Sequence, residues 1–134
     1  MVAITIVYEG DLHCETIHGP SGTKLMSDAP LDNGGKAESF SPTDLVATAL
    51  GTCILTVMGL KAKALGVSID GMSATVEKEM AAAPRRIGKL ATTIRGPANL
   101  PEAARRELEQ AAHTCPVCHS LSDTIDKPIE FIWG

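Results

Sequence analysis

Aromatic residues are scarce in this chain, which has one Trp, one Tyr and two Phe among 134 residues. Any core it builds is therefore aliphatic. Excess basic charge is also missing: 12 Lys and Arg stand against 16 Asp and Glu, a formal charge of −4. Phosphate backbones are held by concentrated Lys and Arg, so nucleic acid is not an expected partner. The opening MVAITIVYEG has no basic segment and no small-residue cleavage site, so a secretory signal is not expected. The longest uncharged run, Leu45 to Leu60, is about 16 residues, short of the ~20 needed to span a bilayer. A buried helix is expected there, and no membrane partner. Internal repeats, linkers and low-complexity segments are absent, so residues 1–134 are expected to form a single domain. A monomer of this size buries only about two-thirds of its unfolded surface, which makes oligomerisation plausible.

Four cysteines are present, at 14, 53, 115 and 118. The expected location is the reducing cytoplasm, where cysteines more often do catalysis or bind metal than staple a fold.

The chain itself reads as α+β. Val2–Tyr8 is rich in β-branched residues and reads as a strand, with Leu12–Ile17 as its hairpin partner across Glu9-Gly10-Asp11 and Lys24–Ser27 as a third short strand. Residues 28–40 carry loop chemistry. Ser41, Pro42, Thr43 and Asp44 spell a capping-box-like helix start. The helix that follows continues to Gly66, with Lys61 and Lys63 near its negative end. It is apolar almost all the way round, the pattern of a helix buried on several sides. Val67–Met80 and Ile87–Arg95 read as a long antiparallel hairpin, Pro101–Thr114 as an amphipathic helix, Cys115-Pro116 as the start of a short one through Leu121, and Pro128–Trp133 as a last strand. The order suggests helices on one face of an antiparallel sheet.

The chemistry candidates are thiols. Cys53 lies in the most apolar helix, where a buried free Cys often acts only as a small hydrophobe. In mid-helix it gains nothing from the helix dipole. Cys115 and Cys118 form C-P-V-C between His113 and His119. That pattern fits a redox pair, a zinc site of His113, Cys115, Cys118 and His119, a covalent haem attachment of the C-x-x-C-H type, or a chance pair at a helix corner. Haem attachment of this kind normally happens outside the cytosol. Cys14 on its strand reads as structural. Arg85-Arg86 beside the hairpin turn is an exposed basic pair or a substrate-facing cation. Glu102, Arg105, Arg106 and Glu109 read as a solvated helix face.

SPTDLVATALGTC, from Ser41 to Cys53, resembles the central helix of the OsmC/Ohr family (osmotically induced and organic-hydroperoxide-resistance proteins), and TCPVCHSL resembles that family's second site. With the strand order and length, the resemblance spans essentially the whole chain. It implies an OsmC-like fold: antiparallel sheets around a long buried central helix, in an intertwined homodimer with two sites at the interface. It also implies roles. Cys53 matches the peroxide-attacking cysteine and Cys115 the resolving one, while Cys118 is an addition that could compete as resolver. Organic hydroperoxides are the implied substrates, a dithiol or protein thiol the implied reductant, and no metal or organic cofactor is called for. An aliphatic pocket from residues such as Leu50, Ile54 and Val57 would favour organic peroxides.

Two departures stand out. The family pairs its reactive cysteine with an Arg from the N-terminal half and a Glu just after the helix-opening Pro. Here Thr43 holds that Glu position with Asp44 next to it, and no Arg precedes Arg85. Asp44 from a shifted position, with Arg85, Arg86 or Lys36 as cation, are the substitutes on offer. A free thiol has a pKa of about 8.5 and reacts slowly at neutral pH without a cation, so the chain reads as a less active branch. Two rival functions share the fold: a thiol-disulfide reductase using Cys115 and Cys118, and a non-enzymatic binder of a small apolar or thiol-reactive ligand.

Overall fold

In the computed structural model, which describes Met1–Gly134, the long helix α1 (Pro42–Leu65) starts on the box its sequence spells. Ser41 Oγ accepts the Asp44 N–H at 3.0 Å and the Asp44 carboxylate accepts the Ser41 N–H at 2.9 Å, so two end-of-helix donors are satisfied reciprocally. Gly66 ends the helix at φ +73°, a conformation other residues adopt only with strain.

The chain forms two compact units, Met1–Val46 and Ala47–Gly134. In the first, β1 (Ile4–Gly10), β2 (His13–His18) and β3 (Lys24–Asp28) make a three-stranded antiparallel sheet in that order. The β1–β2 turn falls on Asp11 and Leu12, both at positive φ (53° and 60°), the twist that suits a two-residue hairpin. The sheet places Ile4 opposite His18 and His13 opposite Asp28. A single 3-10 turn at Leu31–Asn33 interrupts the loop that follows.

In the second unit, β4 (Ser73–Ala81) and β5 (Arg86–Gly96) pair antiparallel, and β6 (Ile129–Trp133) joins β5 in parallel, Ile94 facing Phe131. This corrects the expectation of one wholly antiparallel sheet. β6 returns through helices α2 (Glu102–Ala112) and α3 (Pro116–Ser120), and a crossover of that length delivers a parallel strand. β4 also starts later than its apolar pattern suggests. Gly71 at φ +86° and the Met72 N–H to Ile69 carbonyl bond turn residues 69–72 away from the ladder.

The core of this unit is aliphatic, as the shortage of rings requires. Leu50, Ile54, Met58, Leu90, Ile94 and Leu108 are all essentially sealed from solvent. α1 contributes one stripe, Ala47, Leu50, Gly51, Ile54, Met58 and Ala62, at the spacing of one helix face. Gly51 lets α1 close on β4: a Cβ there would lie 2.9 Å from Val76 Cγ2. α2 buries Ala104, Leu108, Ala111 and Ala112 in the same way.

The expectation that α1 is buried on several sides is met on one side only within the chain. Thr48, Thr52, Thr56 and Leu60 lie on the exposed face. Thr52 and Thr56 donate their hydroxyls to the carbonyls of Thr48 and Thr52, at 2.9 and 2.7 Å, so that face presents methyl groups. At 24 residues, α1 is long and apolar enough to cross a membrane by length and composition alone. The buried stripe, which closes on β4 at Gly51, makes it a core helix instead.

Candidate active site

Cys53 sits three turns into α1, half-buried and between the sealed core positions Leu50 and Ile54. Cys115 reaches the same place from the far end of the unit. α2 stops at Ala112, and His113 and Thr114 turn back on it: the His113 N–H bonds the Gln110 carbonyl at 3.2 Å, and the Thr114 hydroxyl bonds that of Ala111 at 2.7 Å. Cys115 then adopts φ −59°, ψ 120° and caps α3, with Pro116 at the first helical position, where its missing N–H is no loss. The Cys118 N–H donates to Cys115 Sγ at 3.4 Å, and the His119 N–H to the Cys115 carbonyl at 3.1 Å.

This corner buries Cys115 completely, with Cys53 near enough to act on its thiol. Burial, then the contact with Cys53, push the Cys115 thiol up to about 11; the amides of Cys118 and Val117 pull partly the other way. At neutral pH Cys115 therefore keeps its proton. All four cysteines are free.

The structure thus places Cys115 near Cys53 and next to Cys118. Other sequence candidates are engaged elsewhere. Asp44 and Thr43 belong to the helix start, the Thr43 hydroxyl 3.2 Å from Ser41 Oγ. Arg85 and Arg86 are exposed on the β4–β5 turn, where Arg86 donates to the carbonyls of Ala82 and Pro84 at 2.8 and 2.9 Å. Lys36 lies in the loop of the first unit and acts on Asp28 through its charge. No three His, Cys, Asp or Glu side chains converge as a metal site would require, which removes support from the zinc reading. His113 instead meets Phe131 edge-on at 6.4 Å.

The anticipated aliphatic pocket is corrected. Leu50 and Ile54 face the core and are 1% and 0% exposed. Only Val57, four residues from Cys53 and so on the same helix face, lines an open space. That space is a groove of about 530 Å³ between α1 and α2, walled by Val57, Leu60, Lys61 and Ala64 on one side and Glu107, Gln110, Ala111 and Thr114 on the other.

A polar node in the first unit escaped the sequence reading. His13 Nδ1 lies 2.5 Å from Asp28 Oδ1 and its Nε2 lies 3.4 Å from Glu9. The other Asp28 oxygen accepts the Glu38 N–H at 2.9 Å. The hydrogen bond between them raises the His13 pKa and lowers that of Asp28. Asp28 is buried, and its backbone N–H also bonds the Phe40 carbonyl, so the node ties the loop before α1 to the sheet.

The chain is α+β, with the sealed Cys115 near Cys53 of its long helix. The sequence profile of OsmC-like proteins matches residues 34–129, and the chain belongs to the OsmC-like family. A Psychrobacter arcticus protein assigned provisionally to the osmotic-stress and detoxification response is 39% identical, covering 98% of this chain and 96% of that one, with a TM-score of 0.93. The Legionella pneumophila organic hydroperoxide resistance protein OsmC is 18% identical over 98% and 96%, at 0.74. An OsmC-like protein of Mycoplasma pneumoniae is 16% identical over 99% and 96%, at 0.82. No curated protein matches the chain in sequence.

Proposed function

We propose that the 134 residues act as one OsmC-like domain that reduces organic hydroperoxides to alcohols in the cytoplasm. The observation that carries this reading is the closeness of the half-buried Cys53 to the sealed Cys115, on whose thiol it acts. Two neighbouring thiols can close a disulfide, and their unequal exposure divides the work. Peroxide meets the more accessible sulfur, Cys53. Its thiolate attacks one peroxide oxygen, the O–O bond breaks, and the alkoxide leaves and takes up a proton, giving the alcohol and a Cys53 sulfenic acid. The Cys115 sulfur then attacks Cys53 Sγ, the S–O bond breaks, and water leaves with the Cys115 proton. A dithiol or protein thiol reduces the resulting disulfide and is itself oxidised. Until that second step, the protonated Cys115 is a hydrogen-bond donor toward charge on Cys53. Every step runs on thiols alone. The groove along α1 and α2 offers Val57 and Ala111 to the organic part of the substrate.

The domain works as a homodimer in this proposal. Ile4, Ile6, Val7 and Tyr8 of β1 are all more than half exposed, as is Leu60 of α1, and a second copy is the natural cover for such apolar surface.

The test is consumption of cumene hydroperoxide by reduced protein with a dithiol. Wild type should turn over, and Cys53→Ser should lose at least about 10³-fold in rate, the scale seen when a nucleophile is removed. Cys115→Ser should accumulate a sulfenic acid that a dimedone probe traps on Cys53. Negligible consumption by wild type would sink the peroxidase.

A further inference from the structure

Cys118 is the thiol that the two-cysteine cycle leaves unused, and its surroundings give it a task. It sits three residues after Cys115 in the first turn of α3, and its own N–H is bonded to Cys115 Sγ at 3.4 Å. Residues three apart on a helix hold their Cβ atoms ~5–6 Å apart, a spacing that small side-chain and backbone adjustments close to disulfide range. Cys115 therefore has two neighbouring thiols: Cys53 of α1, near enough to act on it, and Cys118 of its own turn. Their access to solvent differs. Cys115 is wholly sealed, while Cys118 is only half-buried and neighbours the exposed His119 and Ser120.

We propose that Cys118 completes a three-thiol relay that moves the disulfide off Cys53 before the external reductant arrives, a step that rests on the peroxidase reading for its oxidant. Cys118 gives up its proton to solvent and its sulfur attacks Cys115 Sγ in the Cys53–Cys115 disulfide. The S–S bond to Cys53 breaks, a Cys115–Cys118 bond forms, and Cys53 leaves as a thiolate. No net oxidation occurs. Cys53 is returned ready for a second peroxide, and the oxidising equivalent now lies on α3. A dithiol there attacks the accessible Cys118 sulfur and releases Cys115.

The sequence makes the two disulfides easy to tell apart. Trypsin places Cys53 in Ala37–Lys61 and places Cys115 and Cys118 together in Glu107–Gly134, since Lys127 is followed by Pro128. A Cys53–Cys115 bond joins the two peptides, whereas Cys115–Cys118 closes a loop within the second. Reduced protein carrying Cys14→Ser is oxidised with one equivalent of cumene hydroperoxide, quenched in acid over time, blocked with N-ethylmaleimide and digested. A parallel arm uses diamide, which makes disulfides without peroxide chemistry. The expected result is a joined species that rises first and gives way to the looped one as Cys53 becomes free to react with N-ethylmaleimide. Wild type should then take up a second equivalent of peroxide, and Cys118→Ser, arrested as the joined species, should take up none. A joined species that persists in wild type in both arms overturns the relay and leaves the peroxidase standing. Loop formation with free Cys53 under diamide, alongside no reaction with peroxide, upholds the exchange and overturns the peroxidase instead.

Discussion

The two units of this chain bury opposite things. In Ala47–Gly134 the sealed residues are aliphatic, Leu50, Ile54, Met58, Leu90, Ile94 and Leu108, with one thiol among them. In Met1–Val46 the buried residues are Ser27, Asp28 and Ser41, while Ile4, Ile6 and Tyr8 stand in solvent. Those three alternate along β1 and so share one face of the sheet. The second unit carries its own hydrophobic driving force. The first is organised locally by turns, cross-strand pairs and a carboxylate, and it displays apolar surface that a partner would cover. Placing the thiols in the self-sufficient unit has a chemical consequence: Cys53, Cys118 and Val117, which act on the Cys115 thiol, all lie in that unit.

That contrast predicts unequal responses to truncation. Leu108 is fully buried on the inner face of α2, and Leu108→Ala should destabilise the protein by about 2–5 kcal/mol through lost burial and the cavity left behind. The thiol of Cys115 should also become more reactive toward alkylating agents as its cover loosens. Denaturant unfolding and the rate of N-ethylmaleimide labelling at Cys115 check both effects, and a change below about 0.5 kcal/mol would show that this unit does not depend on its aliphatic core.

A charge on the exposed face of β1 tests the other half of the comparison. If a second copy covers Ile6, wild type should run at dimer mass, and Ile6→Asp should weaken association by about 10²–10⁴-fold, the equivalent of forfeiting one buried Ile side chain in each copy. Analytical ultracentrifugation across a dilution series reads this directly. An unchanged sedimentation profile would mean that the face stays open to water and that the dimer must form elsewhere.

How much of this was legible beforehand follows the range of each interaction. The start of α1 was plain, because Ser41, Pro42 and Asp44 interact across three residues and write their geometry into adjacent letters. The corner at Cys115-Pro116 was plain for the same reason. The parallel pairing of β6 with β5 was hidden, since it joins Ile94 to Phe131 across two helices. Which side of α1 faces the core was hidden too: a helix apolar all round carries no stripe for the eye to follow, and Gly51 became informative only when its closeness to Val76 appeared. The approach of Cys53 to Cys115 spans 62 positions of sequence, and resemblance to a family supplied it where periodicity could not. His13 and Asp28 face each other across two strands, and nothing in HCETIH or KLMSD marks that register.

The His13–Asp28 node supplies the smallest effect and the most specific one, because its sign depends on pH. Hydrogen bonding to Asp28 raises the His13 pKa above its ordinary 6.5, so the stability His13 contributes is complete below about that pH and is lost as pH rises through the raised value. The Asp28 pKa is lowered from 3.8, chiefly by His13, with the Glu38 N–H and the charge of Lys36 assisting. Its contribution is complete above that value and is lost as pH falls through the lowered one. The charged pair is therefore whole between about pH 3.8 and 6.5. His13→Gln keeps a hydrogen-bonding side chain but removes the charge. The thermal midpoint of wild type should exceed that of the variant at pH 6, and the gap should shrink by pH 9. The Leu108→Ala deficit, which involves no proton, should leave no such pH signature. A His13→Gln gap that stays constant from pH 6 to 9 would reduce the node to shape alone, and the two units would then differ in what they bury but not in how they respond to protons.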